Sequence, residues 1–273
     1  MPYATARDGT RIYYKDWGLG RPVVLIHGWP LSSDTFDDAA LALAENGYRA
    51  IAHDRRGFGR SDQPWAGYDY DTFADDVAAV LEEAGIGQPI ALAGFSMGGG
   101  EVARFLSRQR AHQVSHAVLI GSVVPFLLRT DDHPEGAPKD VFDGMIAGIR
   151  KDRGDFFRHF FRDFFGVEWT NPVSDAVLED AWRQAMNAGL WPTVACVRAF
   201  SETDFRPDLA AFTMPTLIIH GVDDRTVPID LTARAAAKAI PGAKLVEYEG
   251  AAHGLFASHK DRLVSDLLDF LDD

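Results

Sequence analysis

The chain has 273 residues, of which 47% are hydrophobic and 25% are charged, the composition of an ordinary globular protein. Its formal net charge of −13 argues against nucleic acid as a partner, because phosphate binding requires clustered lysine and arginine. No run of about 18 consecutive apolar residues occurs, so no membrane-spanning segment is expected.

Two further features bear on location. The first residues lack the basic start and apolar stretch of a signal peptide. The single cysteine, Cys196, has no partner in the chain for a disulfide, which fits a reducing compartment. A cytoplasmic location is therefore expected. Cys196 lies in an apolar run, which predicts a buried thiol rather than a nucleophile.

Short β-rich runs recur along the chain. A hairpin is predicted first, with residues 3–7 and 11–17 joined by a turn at Asp8 and Gly9. Several of the later runs are continuously apolar, which is typical of central parallel strands that are buried on both faces. These runs are residues 23–26, 49–52, 90–93, 117–120, 216–219 and 245–248.

Helical patterns separate the strand-like runs. Residues 71–84 show apolar side chains at helical spacing, residues 230–240 are rich in alanine, and an amphipathic stretch starting at residue 261 closes the chain. Strand–helix alternation after a leading hairpin predicts an α/β fold, with a mostly parallel eight-stranded sheet flanked by helices.

Residues 126–208 interrupt this alternation. They contain helix-like patterns without a convincing strand, and pairs of phenylalanines recur every four residues from Phe156 to Phe165. Most of these rings are expected to pack in a helical core. Because the segment comes between two predicted strands, we interpret it as a helical cap inserted into a core formed by residues 1–125 and 209–273.

The sharpest motif is a G-x-S-x-G pentapeptide with Ser96 at its centre, flanked by Gly94 and Gly98. It follows the apolar run 90–93 and precedes a helix-like stretch, 101–108, which is the strand–turn–helix context of a nucleophile elbow. Small neighbours let the strand and helix approach closely at a strained serine. We therefore predict that Ser96 is a nucleophile.

A serine hydroxyl needs a base and an orienting acid, and in this fold the chain order is serine, acid, histidine. His253 follows the last predicted strand and is the predicted base. Two aspartates, Asp223 and Asp224, follow the preceding strand, and the pattern alone leaves both open as the acid. His27 and His220, each at the end of a strand before a glycine, are expected to bridge loops.

Attack on an ester carbonyl generates an oxyanion, which requires preorganised donors. The backbone N–H of Met97, just after the nucleophile, is the first predicted donor. The second comes from the loop after residues 23–26, where Trp29 is favoured because Pro30 has no N–H.

No cofactor is predicted. The remaining histidines have no partner at metal-ligand spacing, so a metal site is not expected. The run from Gly57 to Gly59 lacks the third glycine of a dinucleotide fingerprint and the lysine of a phosphate-binding loop.

Longer stretches of the sequence, beyond the pentapeptide, also resemble those of a known family. Nearly the whole chain resembles the bacterial aryl esterases and cofactor-free haloperoxidases, or perhydrolases, of the α/β-hydrolase superfamily. The most specific stretches are residues 11–18, 54–65, 70–76, 94–100 and 202–208. The acid loop of that family resembles H-G-D-G-D-x-x-V-P with the second aspartate catalytic, which implies that Asp224 is the acid. Val222 and Asp223 depart from that pattern.

The resemblance implies acyl transfer without a haem or a metal. The implied partners are a small-molecule ester and hydrogen peroxide, which can replace water as the acceptor to give a peracid that oxidises halide off the enzyme. Relatives of this kind often self-associate, which leaves a homo-oligomer open, but the sequence itself does not determine the oligomeric state. Pro30 restricts the backbone of Trp29, and a Trp29 carbonyl turned toward the pocket would accept a hydrogen bond from peroxide.

The pocket is expected to be small and apolar, with a preference for short acyl groups and aromatic leaving groups. The resemblance implies that Trp29, Met97, Phe200 and Ile229 face the acyl group, with Pro30 beside them.

A lactonase or an amidase would use the same triad and remains an alternative. A ligand-binding receptor on a hydrolase fold is the alternative from another class. Haloalkane dehalogenases and epoxide hydrolases are disfavoured because they need an aspartate at position 96.

Overall fold

A computed structural model describes residues 2–169 and 173–272 of the chain, without the side chains of residues 109 and 110. Its strands form one eight-stranded sheet in the order β1-β2-β4-β3-β5-β6-β7-β8. The strands are β1 (Tyr3–Thr5), β2 (Arg11–Gly18), β3 (Arg21–Ile26), β4 (Tyr48–His53), β5 (Ile90–Phe95), β6 (Val114–Ile120), β7 (Thr216–Gly221) and β8 (Lys244–Tyr248).

The sheet is antiparallel only at its first edge. Strand β1 pairs with β2 and β2 pairs with β4 in antiparallel register, whereas every later pair is parallel. Every residue of β5 and β7 is buried, as expected for strands covered on both faces. The predicted α/β fold with a mostly parallel eight-stranded sheet is confirmed.

The α-helices of the described residues come after strands β3 to β8 along the chain. They are α1 (Asp37–Glu45), α2 (Tyr70–Glu83), α3 (Met97–Phe105), α4 (Lys139–Lys151), α5 (Arg153–Phe164), α6 (Asp175–Asn187), α7 (Leu190–Glu202), α8 (Ala233–Ala239), α9 (Leu255–Ser258) and α10 (Lys260–Asp272). Short 3-10 turns occur at Ser33–Phe36, Ala111–Gln113 and Arg206–Ala211, and a π turn at Leu106–Arg110 extends α3.

Helices α1, α2 and α3 pack on the sheet strands, α2 packs against α3, and α10 packs against α1. The sequence patterns did not predict α1, because its alanine-rich stretch shows little contrast between an apolar and a polar face. Helix α8 is shorter than the predicted 230–240, because residues 230–232 form turns.

Helices α4 to α7 lie between β6 and β7 along the chain and pack on one another, α4 against α5 and α7, and α5 against α6. On α5, Phe157, Phe161 and Phe164 are almost completely buried, whereas Phe156 and Phe160 are partly exposed. The division into a core and a cap of residues 126–208 stays a prediction. Among the described residues, no helix is long and apolar enough to cross a membrane.

Candidate active site

Ser96 lies at the corner between β5 and α3 in a conformation that few side chains adopt. Its φ is 54°, and it is the only non-glycine residue with a positive φ in the described part of the chain. A Cβ at Gly94 would lie 2.3 Å from the Gly98 carbonyl oxygen, and a Cβ at Gly98 would lie 2.3 Å from that of Ile26. The two glycines are therefore required by the close approach of β3, β5 and α3.

Ser96, His253 and Asp224, distant in sequence, form a continuous hydrogen-bonded series. The Ser96 Oγ lies 2.9 Å from His253 Nε2, and His253 Nδ1 lies 2.6 Å from Asp224 Oδ2. All three side chains are buried. The His253 ring is enclosed by the rings of Phe95 and Phe164, whose centroids lie 5.0 and 4.8 Å away, so its orientation is restricted by packing.

The loop after β7 holds the Asp224 carboxylate from both sides. The backbone N–H groups of Thr226 and Val227 donate to Oδ1 at 2.9 and 2.7 Å, while His253 and His220 approach Oδ2. Burial by itself would raise the pKa of Asp224, but the two histidines lower it below its usual range. Asp223, in contrast, is exposed.

His220 has a role that the sequence reasoning missed. It was expected to bridge loops, and its Nε2 does lie 2.8 Å from the Val227 carbonyl oxygen, yet the same atom lies 3.2 Å from Asp224 Oδ2. The i, i+4 spacing of His220 and Asp224 was the available signal, but it depends on a turn whose shape the sequence did not reveal.

The two predicted oxyanion donors belong to segments that adjoin Ser96. A Cβ on Gly28 would lie 2.9 Å from the Ser96 Cβ, so the loop that carries Trp29 touches the serine. Met97 is the first residue of α3, where backbone N–H groups have no partner in the helix. The Ser96 carbonyl, which belongs to the same peptide group, accepts hydrogen bonds from the backbone N–H groups of Gly99 and Val123. Because the carbonyl and the N–H of a trans peptide point in opposite directions, the Met97 N–H points away from those two donors.

A cavity of about 830 Å³ opens onto Ser96 and His253. Its walls are mainly apolar and come largely from the segment between β6 and β7, together with the loop after Asp224. Among the apolar residues that line it are Trp29, Val123, Leu127, Val141, Phe142, Met145, Phe156, Phe160, Phe200, Val227 and Leu231. The cavity is larger than the small pocket expected from composition, because aromatic content does not determine the distance between helices.

Only some of the predicted substrate-contacting residues line the cavity. Trp29 and Phe200 line the cavity. Met97, Ile229 and Pro30 are buried and are not among the residues that line this cavity, and their contact with the acyl group stays a prediction. Ile229 directly follows Pro228, which does line the cavity, so the chain turns its next side chain inward.

Charged residues line part of the cavity, whereas the sequence predicted an apolar pocket. They are Lys151, Asp152, Asp155, Asp163 and Arg225, together with His159. The Arg225 guanidinium lies 4.1 Å from the centre of the Trp169 ring, in a cation–π contact at the cavity wall.

The chain offers two other kinds of candidate site, a cysteine nucleophile and a metal centre. Cys196 is buried, and burial raises the pKa of its thiol to about 12, so the reactive thiolate is disfavoured. Within residues 2–169 and 173–272, no group of three histidine, cysteine or acidic side chains is arranged to hold a metal ion.

Comparisons with known proteins agree with this geometry. Residues 21–260 match the family described as alpha/beta hydrolase fold. A non-heme chloroperoxidase of Kitasatospora aureofaciens is 44% identical over 99% of both chains, and a bifunctional esterase/perhydrolase of Acinetobacter calcoaceticus is 41% identical over 99% of both. The crystal structure of a bromoperoxidase from Bacillus anthracis superposes with a TM-score of 0.94 at 43% identity, over 100% of both chains. The chain therefore belongs to the α/β-hydrolase family and, within it, to the non-heme haloperoxidases and esterase/perhydrolases.

Proposed function

We propose that the protein is a serine hydrolase that cleaves small carboxylic esters through an acyl-enzyme and transfers the acyl group to water or to hydrogen peroxide. The observation that carries this proposal is the hydrogen-bonded series from Ser96 Oγ through His253 to Asp224, at 2.9 and 2.6 Å. Such a series opening onto an apolar cavity suits acyl transfer, because the serine needs a base and the ester needs a dry site.

In the first half of the reaction, Ser96 Oγ attacks the ester carbonyl carbon while His253 Nε2 takes the hydroxyl proton. Asp224 accepts the Nδ1–H of His253 and stabilises the imidazolium that forms. The backbone N–H groups of Trp29 and Met97 donate to the oxyanion of the tetrahedral intermediate. The intermediate collapses as the carbon–oxygen bond to the leaving group breaks and His253 returns its proton to that oxygen, leaving acylated Ser96.

In the second half, an acceptor attacks the acylated Ser96 and His253 removes the acceptor's proton. Water gives a carboxylic acid, and hydrogen peroxide gives a peracid; either way Ser96 regains its proton. A relative 41% identical to this chain is named a bifunctional esterase/perhydrolase, which supports both outcomes. A released peracid oxidises halide away from the protein, which accounts for haloperoxidase names among relatives without a redox step at the site.

The test is steady-state hydrolysis of phenyl acetate, with and without hydrogen peroxide, by the wild type and by Ser96→Ala. We expect turnover by the wild type, peracid when peroxide is present, and a loss of several orders of magnitude in both for the variant. Saturable binding of the ester without turnover would instead identify a ligand-binding receptor.

Two proposals concern the setting of this activity. We propose a cytoplasmic location, supported by the single buried Cys196, which has no partner in the chain. We also propose self-association, supported by the family resemblance. Size-exclusion chromatography with light scattering tests the second, and a monomer at micromolar concentration would contradict it.

A further inference from the structure

We propose that the buried ion pair between Arg55 and Glu101 is a positioning device that holds the two oxyanion donors, the N–H groups of Trp29 and Met97, in one arrangement. This inference rests on the proposed function. Arg55 and Glu101 lie outside the cavity wall and touch neither Ser96 nor His253 in any hydrogen bond among the described residues. They act through the backbone that carries the donors.

The direction of the Trp29 N–H is set by the carbonyl of Gly28. These two groups belong to the same planar trans peptide and point to opposite sides of the chain. The Gly28 oxygen accepts from Leu31 N–H at 3.0 Å and lies 2.9 Å from His27 Nδ1. Because these contacts hold the Gly28 oxygen on one side of the chain, the Trp29 N–H points to the opposite side.

His27 can anchor the Gly28 oxygen only in one tautomer, and Arg55 selects it. The backbone N–H of Arg55 donates to His27 Nε2 at 2.9 Å, so this nitrogen is the acceptor and the ring proton is on Nδ1. Nδ1–H then donates to Gly28. Burial first, and the Arg55 charge second, lower the pKa of His27 well below its usual range, which keeps the ring neutral.

The Arg55 side chain binds the same loop a second time. Its Nη2 donates to the His27 carbonyl oxygen at 2.6 Å, while its Nε donates to Glu101 Oε1. Glu101 lies on α3, one turn after Met97, which carries the second donor. The ion pair therefore connects the loop with the first donor to the helix with the second.

The energetics favour a positioning role over a stabilising one. The Arg55 and Glu101 side chains are at most 1% exposed, and the desolvation of two such charges cancels much of their attraction. Hydrophobic replacement of a whole buried pair is often neutral for stability. A buried pair at this position is thus explained better by the geometry that it imposes on the two amides than by stability.

The neighbouring pair Arg56 and Asp76 provides a matched control. It is buried to the same degree, with Nε and Nη2 of Arg56 donating to the two carboxylate oxygens at 2.6 and 2.7 Å. It connects the same loop after β4 to α2 and to Asp8, and makes no hydrogen bond to residues 27–30 among the described residues. The Arg56–Asp76 pair therefore differs from the Arg55–Glu101 pair mainly in the segments that it connects.

The experiment compares the double variant Arg55→Met/Glu101→Leu with the control Arg56→Met/Asp76→Leu, each of which removes both members of a buried pair. The control also frees the Asp8 carboxylate from Arg56, but Asp8 is exposed and water solvates it. Active sites are counted by stoichiometric phosphorylation of Ser96 with an organophosphate, so misfolded protein does not contribute. Per active site we measure kcat and KM for phenyl acetate, the pH dependence of kcat, and the affinity for phenylboronic acid, which forms a tetrahedral adduct with the serine.

For Arg55→Met/Glu101→Leu we expect kcat per site to fall by roughly 10- to 100-fold, with the boronate affinity falling in parallel. KM and the pH midpoint of kcat should stay close to wild type, because the triad is intact. The control should keep wild-type kcat and boronate affinity. The proposal is overturned if the Arg55 variant keeps both values, or if the control loses as much.

Single variants keep the proposal testable if the double variant does not fold. Glu101→Gln retains an oxygen that accepts from Arg55 and should preserve most of kcat per site, whereas Glu101→Met should lose it. Equal kcat for the two would contradict the proposal. Failure of the proposed function shows itself earlier and separately, as a wild type without Ser96-dependent turnover.

Discussion

His220 Nε2 lies 3.2 Å from Asp224 Oδ2, the same oxygen that accepts from His253 Nδ1 at 2.6 Å. His220 Nε2 also lies 2.8 Å from the Val227 carbonyl oxygen. Both neighbours are acceptors, so the ring proton is on Nε2. The other nitrogen, Nδ1, is buried and has no partner among the described residues, which suits a bare ring nitrogen. Asp224 is thus held by two histidines, of which only His253 reaches Ser96.

Replacing His220 should therefore weaken catalysis without touching the triad. For His220→Phe we expect kcat/KM for phenyl acetate to fall about tenfold, since one hydrogen bond to a charged oxygen is lost. His220→Gln, which retains a side-chain donor, should lose less. Steady-state kinetics test this, with the exposed His112→Gln as a control. Wild-type kinetics for His220→Phe would show that His253 and the loop amides orient Asp224 without it.

The two adjacent aspartates should differ sharply in their contribution to catalysis. Asp224→Asn should lower kcat by about 10³- to 10⁴-fold, because the neutral amide no longer holds the tautomer of His253 that can accept the serine proton. Asp223→Asn alters an exposed side chain and should keep wild-type kcat. Both are measured with the same ester, and comparable losses in the two variants would refute the assignment.

The surroundings of Ser96 and Asp224 show which features could be predicted from the sequence and which could not. The continuous apolar runs predicted the parallel strands, and the glycines around Ser96 predicted the elbow, because both depend on local pattern. The choice between Asp223 and Asp224 depends on how the loop after β7 turns, and before the structure only the family resemblance favoured Asp224. The partnership of His220 with Asp224 arises from the same turn.

Features that depend on packing between distant segments were less accessible. The cavity of about 830 Å³ is lined by residues of α4, α5 and α7 together with loops next to Ser96, and local periodicity does not predict how far apart such segments pack. For the same reason the sequence did not show that Met97 and Ile229 lie outside the cavity wall. The charged residues at the cavity come from elements about 70 positions apart, such as Asp155 and Arg225.

The close packing beneath Ser96 leads to a stability prediction. Gly98→Ala should lower the free energy of unfolding by about 3 kcal/mol or more, because the new Cβ would overlap the carbonyl oxygens of Ile26 and His27 at 2.3 and 2.9 Å. Gly144→Ala, in α4 with no atom near the new Cβ, should raise it by about 0.5–1 kcal/mol. Urea unfolding of both variants tests this, and a Gly98→Ala protein as stable as wild type would refute the close approach.

Pro30 should influence the choice between water and peroxide. Its ring restricts the Trp29 backbone, and a Trp29 carbonyl directed at the site would accept a hydrogen bond from peroxide. Pro30→Leu should therefore lower the ratio of perhydrolysis to hydrolysis by about fivefold, the value of one neutral hydrogen bond. The ratio is measured from peracid and carboxylic acid formed side by side. An unchanged ratio would mean that Pro30 does not control the acceptor.

The most direct test of the account is to trap the acyl-enzyme. His253→Ala retains Ser96 but lacks the base for both half-reactions. An excess of an activated aryl acetate, whose good leaving group partly compensates in acylation, should acetylate Ser96 slowly, and the unactivated acetyl-serine ester should hydrolyse more slowly still. Mass spectrometry of the digested protein should locate this acetyl group on Ser96, and the further change Ser96→Ala should abolish it. Acetyl located on another residue, or wild-type turnover that survives Ser96→Ala, would contradict a serine nucleophile at this corner of the sheet.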